Sequence, residues 1–277
     1  MAAQLNLLYL KVRLKNENNF INHIIFRSIK LSLIILFLGL LNFHQAIAKN
    51  TSSGLRFPNE RLVFHQESRG LSFLLKNNDE NAYLVQADIA IPDESTGLNA
   101  KKADSVLFMI TPPLYRLEAK SEYNWQIKKI DNLKKLPQDR ESVFFIRLKS
   151  IPPKGTKNTV KFKKMDRSLT LSKVLHYKFY YRPEAIKNLK MVNVKDKFKF
   201  TVSDGKLIVD NQSPLYLTFG KLAVGQYQID NMQLFKLIPP FGKQSYSLPK
   251  GNYANATVKW RLLNEFMLEM PEQTQKL

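Results

Sequence analysis

Cysteine is absent from all 277 residues, so this chain can build no disulfide, no thiolate metal site and no thiol nucleophile. That does not fix its compartment, because an exported domain with a large enough core folds without cystines. Histidine is scarce, four in all, and only His65 and His176 lie beyond residue 48. Two imidazoles without a third ligand make a poor metal site, even where strand pairing would bring them together. No Gly-rich phosphate loop, His-Glu-x-x-His or Gly-x-Ser-x-Gly element occurs, and the carboxylates form no pair distinguishable from ordinary surface charge. The residues therefore point to no enzyme, no metal and no cofactor. Acid is also short relative to base: 23 Asp and Glu face 43 Lys and Arg, a formal charge of +20. The basic residues are scattered and no finger, homeodomain or RNP-like motif gathers them, which argues against nucleic acid. An anionic membrane surface or simply a cationic soluble protein remains open.

Long apolar runs are missing too, with one exception. Residues 31–41 form an apolar stretch of eleven with one Ser and one Gly, preceded by Arg27 and Lys30 and followed by Ala46-Ile47-Ala48. Positive charge, apolar core and small residues, in that order, predict a secretory signal over residues 1–48. The alternative is an uncleaved anchor, for which the run is short against the roughly 20 residues of a membrane span. Residues 1–26 are long for the charged region of such a leader. Segment 1–48 holds five Lys and Arg and one Glu, so its loss takes four from +20 and leaves +16. The basic character belongs to the remainder.

From Arg61 onward, short β-branched and aromatic runs alternate with turn residues. Leu62-Val63-Phe64, Leu71-Ser72-Phe73-Leu74-Leu75, Tyr83-Leu84-Val85-Gln86-Ala87, Val106-Leu107-Phe108-Met109-Ile110, Val143-Phe144-Phe145-Ile146-Arg147-Leu148 and residues 174–181 read as strands. Polar or proline-rich links such as 76–81, 92–97 and 152–155 divide them. This pattern predicts an all-β fold of the sandwich type. Alternation fails over 184–196 and restarts at Phe198, then at 206–209, 216–219 and 258–263. Residues 49–183 and 184–277 are thus expected to form one sandwich each. Only 232–236 and the C-terminal tail tempt a helical assignment, and both are short.

One block is more specific than any periodicity. Leu136-Pro137-Gln138-Asp139-Arg140-Glu141-Ser142-Val143-Phe144-Phe145, with Leu148 and Ile151-Pro152-Pro153 after it, resembles the signature of the periplasmic pilus-assembly chaperones of the PapD-like family. Arg61-Leu62-Val63-Phe64, Thr111-Pro112-Pro113-Leu114-Tyr115-Arg116-Leu117 and Lys178-Phe179-Tyr180-Tyr181-Arg182-Pro183 are similar to three further family segments in the same order. Asn211-Gln212-Ser213-Pro214-Leu215-Tyr216 and Ile238-Pro239-Pro240-Phe241 are weaker echoes of its second domain. Two positions depart: Arg147 stands where the family prefers Asn, and Asp88 where it usually has Trp. The long stretch between Ile151 and Lys178 suggests the long-loop branch, but the cystine often found there cannot form, so the subclass stays open.

The resemblance implies two immunoglobulin-like domains set as an L with a cleft between them, and a periplasmic partner for pilus subunits and an outer-membrane usher. A pilus subunit so implied lacks its last strand, and the chaperone lends one. The lent strand would lead to Lys178, with Leu169 and Leu171 projecting to one face at the two-residue period. Packing of both leucines into this chain's own core is the other reading. Lys173 interrupts the row where a third apolar residue is expected, so the row ends there or shifts through a bulge. Arg61 and Lys178 are implied to grip the subunit's terminal carboxylate, a task suited to a guanidinium fork and a compact ammonium. Glu141 and Arg182 match an interdomain charged network whose third member is normally Asp. Glu265 is its candidate here, with a solvated surface charge as the alternative. The rival function is a membrane-anchored β-sandwich adhesin or receptor.

Overall fold

In the computed structural model, the described residues are 54–57, 60–93, 97, 100–102, 107–153, 159–162 and 167–277, with backbone alone for 100–102, 159–162 and 167–170. The proposed signal segment, 1–48, lies outside them. Twelve strands make up the first half: β1 (Leu55–Arg56), β2 (Leu62–His65), β3 (Leu71–Asn77), β4 (Tyr83–Pro92), β5 (Ala100–Lys102), β6 (Phe108–Thr111), β7 (Leu114–Leu117), β8 (Glu122–Lys129), β9 (Ser142–Ile151), β10 (Thr159–Phe162), β11 (Arg167–Thr170) and β12 (Lys173–Arg182). They pair as a sheet β1-β3-β8-β6, a sheet β2-β12-β9-β4-β5 with β7 also on β4, and a separate hairpin β10-β11.

The period of two explains the core. On β3 and β8 the inward residues Phe73, Leu75, Trp125 and Ile127 are buried, and between the sheets they meet Phe64, Phe144, Ile146, Leu148 and Phe179. The Phe108 ring meets Phe64, Phe144 and Phe179 edge-on at 5.0–5.3 Å, a geometry favoured by the ring quadrupole. Strand β8 is one the apolar-run criterion passes over, since Tyr123, Trp125 and Ile127 alternate with polar neighbours.

Seven strands form the second half: β13 (Phe198–Ser203), β14 (Lys206–Asn211), β15 (Phe219–Val224), β16 (Tyr227–Gln228), β17 (Lys243–Ser247), β18 (Thr257–Leu262) and β19 (Gln273–Lys276). Sheets β13-β14-β17 and β16-β15-β18-β19 enclose Phe198, Phe200, Phe219, Leu222, Tyr246 and Trp260. The C-terminal tail is a strand on β18, with Trp260 opposite Gln273, rather than a helix. Residues 232–236 supply only part of a single helical turn, α1 (Asn231–Leu234), capped where Asp230 accepts from the Met232 N–H at 2.6 Å. Among the described residues no helix is long and apolar enough to cross a membrane.

Two strands break the alternation for a reason. Residues 143–146 of β9 and 179–182 of β12 are buried on both faces. One face carries Phe144, Ile146, Phe179 and Tyr181 into the first core. The other carries Val143 and Tyr180 onto Tyr216 and Leu237 of the second half. This seam holds the two sandwiches together and positions the groups described next.

Candidate functional site

Glu141 lies at the centre of the seam, at the point where the chain enters β9. Its Oε2 accepts from Arg61 Nη2 at 2.6 Å and from the Tyr216 N–H at 2.9 Å. Its Oε1 accepts from Arg182 Nη2 at 2.7 Å and Nε at 3.1 Å. Arg182 uses Nη1 to reach the Leu189 carbonyl at 2.6 Å. Arg61, Glu141 and Arg182 are all buried, at 9, 2 and 4% exposure, so the pairing happens away from water.

Tyr216 is delivered to this point by Asn211. That buried amide donates to the carbonyls of Leu215 and Pro239, both at 2.9 Å, and its oxygen accepts from the Ser213 N–H at 2.9 Å. The Asn-Gln-Ser-Pro segment and the Pro-Pro-Phe turn are therefore one hydrogen-bonded unit whose product is the placement of Tyr216. Glu265 approaches from β18's far end through its backbone, whose carbonyl accepts from the Arg61 N–H at 2.8 Å. Its carboxylate accepts from the Met191 N–H at 2.6 Å. Glu141 and Arg182 are thus brought together directly, while Glu265 meets the cluster through Arg61 and the connector.

A cleft of about 610 Å³ opens beside the seam, lined among others by Arg61, His176, Lys178, Tyr180, Phe235 and Met267. Gly97 closes one rim: at φ +68°, a Cβ there would sit 1.8 Å from the Phe235 carbonyl oxygen, so only glycine fits. Arg61 and Lys178 both face this space but differ in state. The Arg61 guanidinium lies 3.6 Å from the centre of the Tyr180 ring and is shared with Glu141. Burial acts to lower its pKa, but Glu141 and Tyr180 outweigh that and raise it, so it stays cationic. Its Nε is buried with no hydrogen-bond partner among the described residues. Among the described residues Lys178 has one hydrogen-bond partner, the Phe235 carbonyl, 3.3 Å from its ammonium. Burial, and then the Arg61 charge, push its pKa down to about 8. An anion entering the cleft would relieve both groups.

The strand that carries Lys178 has an open side. β9 pairs with β12 from Lys173 to Tyr181, whereas parallel β2 covers its other edge only from Phe179 onward. Among the described residues no strand pairs with residues 173–178 on that second edge. The backbone of Leu169 lies in β11, opposite Val160 of β10. Leu171 stands 55% exposed between β11 and β12, outside this domain's core.

Two positions that set this sequence apart from the pattern it resembles are partners. Asp88 and Arg147 face each other across β4 and β9, with Arg147 Nε and Nη2 on the two Asp88 oxygens at 2.7 and 2.6 Å. A bidentate pair is self-consistent in a way neither residue is alone. The two histidines, by contrast, are kept apart. His65 is opposite Arg182, and His176 is six residues upstream on β12, about 20 Å away at ~3.3 Å per residue. Reasoning from motifs missed Tyr180, Tyr216 and the Phe235 carbonyl. The unbroken apolar run at 179–181 was the available signal, since a strand buried on both faces loses its alternation.

Comparison with known proteins identifies the family. Residues 54–187 match the family described as "Pili and flagellar-assembly chaperone, PapD N-terminal domain", and 193–273 match "Pili assembly chaperone PapD, C-terminal domain". Chaperone protein FimC of Escherichia coli O6:H1 is 29% identical over 238 residues, covering 85% of this chain and 90% of that protein. Chaperone protein caf1M of Yersinia pestis is 28% identical over 222 residues, covering 76% and 81%. In fold, the chain resembles a Salmonella enterica structure of the SafA pilin in complex with the SafB chaperone, with a TM-score of 0.66, 23% identity and coverage of 81% and 97%. It also resembles the E. coli chaperone DraB, with a TM-score of 0.64, 24% identity and coverage of 81% and 99%. This chain belongs to the PapD-like family of pilus-assembly chaperones, a family of assembly factors and not of enzymes.

Proposed function

We propose that this chaperone works in the bacterial periplasm after loss of residues 1–48, holding a strand-deficient pilus subunit and passing it to an outer-membrane usher. The observation that carries this reading is the open edge of β12 over residues 173–178, which runs into the cleft holding Lys178 and Arg61. An unpaired edge offers main-chain donors and acceptors to a partner that lacks a strand, and alternate side chains fill its groove. Leu169 and Leu171 would enter that groove. Lys178, with spare donors, would hold the subunit's terminal carboxylate. Arg61 would add fixed charge while remaining bonded to Glu141. Such an anchor sets register, because a slip of one residue would turn every inserted side chain outward. Glu141, Arg182 and Glu265 would hold the two domains at the angle the anchor needs.

The test is co-expression of a pilus subunit with the wild type and with Lys178→Ala, reading the amount of subunit recovered from the periplasm. Lys178→Ala should lose most of the subunit while unfolding at a temperature no lower than the wild type. Arg61→Ala should lose it too, with a drop in stability because it strips Glu141 of a partner. Equal recovery with Lys178→Ala would show that the carboxylate anchor is misplaced.

A further inference from the structure

The row of side chains offered at the open edge contains a cation whose position is set by register. β9 and β12 pair without a shift from Lys173 opposite Ser150 to Tyr181 opposite Ser142, so no bulge displaces Lys173. Ser150 is buried, and its hydroxyl donates to the Lys173 carbonyl at 3.3 Å. At the two-residue period, Lys173 shares its face of β12 with Leu175, Tyr177, Phe179 and Tyr181. All four pack on the first core. Lys173 therefore continues the inward row past the point where the core ends, and it is exposed there. Two residues further upstream, Leu171 is exposed as well. Among the described residues no carboxylate pairs with Lys173.

We propose that Lys173 determines which subunit is accepted: it enters the subunit's groove behind Leu171 and pairs there with an acidic side chain of the subunit. This rests on the strand-lending reading above. A lysine carried into an apolar groove without a partner loses hydration with nothing to offset the loss. A groove that takes this row must therefore supply a carboxylate at that depth, and subunits without one are rejected. The competing outcome is that the lysine stem lies along the groove with its ammonium in water.

The experiment uses the complex with a co-expressed pilus subunit and measures its dissociation rate at low and high salt. Lys173→Leu should speed dissociation at least about tenfold, the lower end for close charge pairs at interfaces. Lys173→Arg should remain near wild type. Lys173→Glu should be faster still, and should be restored by changing the subunit's acidic groove residue to Lys. Unchanged thermal unfolding of the free variants would confirm intact folds. Dissociation of Lys173→Leu at the wild-type rate or slower overturns the proposal. Leu171→Ala and Lys178→Ala distinguish the two levels. If both leave the complex intact, the strand-lending reading fails; if both weaken it while Lys173→Leu does not, only the role of Lys173 fails.

Discussion

At the scale of single residues, the molecule places one carboxylate between two guanidiniums and leaves a third cation beside them. Glu141 accepts from both Arg61 and Arg182 in a buried seam. Replacing it by Gln leaves two desolvated cations facing a neutral amide. Glu141→Gln should therefore cost about 3–5 kcal/mol in urea-unfolding free energy, the range for breaking a buried ion pair. Lys178 behaves in the opposite sense. Its folded pKa is about 8, against an ordinary 10.5, and burial is the main cause. Between these pH values the unfolded chain keeps a proton that the folded one has released, so stability rises with pH across that window. Below about pH 8 both states are protonated and the penalty is complete. The urea midpoint should climb from pH 8 towards 10 in the wild type and stay flatter in Lys178→Met. Affinity for a carboxylate-bearing subunit should run the other way, falling as the pH passes about 8, because the anchor needs the ammonium.

At the scale of elements, β12 performs three tasks along ten residues. Its C-terminal part is double-faced core and seam, its middle carries Lys178 into the cleft, and its N-terminal part is an edge without a second neighbour among the described residues. Alternate amides of an antiparallel strand point away from its partner. Within residues 173–178 those amides should exchange with solvent much faster than the amides directed at β9, and should slow once a subunit is bound. Hydrogen exchange with and without subunit reads this directly, and equal protection of both sets in the free protein would mean that something already covers the edge. Much of this element was legible in advance: residues 174–181 carry the strand pattern. The lack of a second neighbour for residues 173–178, among the described residues, was not, since that depends on where β2 begins. The strand β19 was hidden as well: Gln273–Lys276 is polar, and its pairing is decided by the chain it meets rather than by its own periodicity.

At the scale of the whole molecule, two sandwiches are joined at a seam where Val143, Tyr180, Tyr216 and Leu237 pack around the charged cluster. The residues before them should not survive export. Protein recovered from the periplasm should begin at Lys49 by N-terminal sequencing, and retention of residue 1 on an intact membrane-bound chain would restore the anchored reading. The sequence alone determined that the chain is all-β and that it carries the ordered motifs of pilus chaperones. Those properties reside in local period, turn chemistry and short contiguous blocks. Tertiary structure alone decided that Arg61 is committed to Glu141 while Lys178 stays open, that Asp88 and Arg147 are partners, and that Lys173 continues the inward row without a bulge. Each of these depends on residues tens of positions apart meeting across strands. Burial, charge sharing and register arise from those meetings and have no local signature.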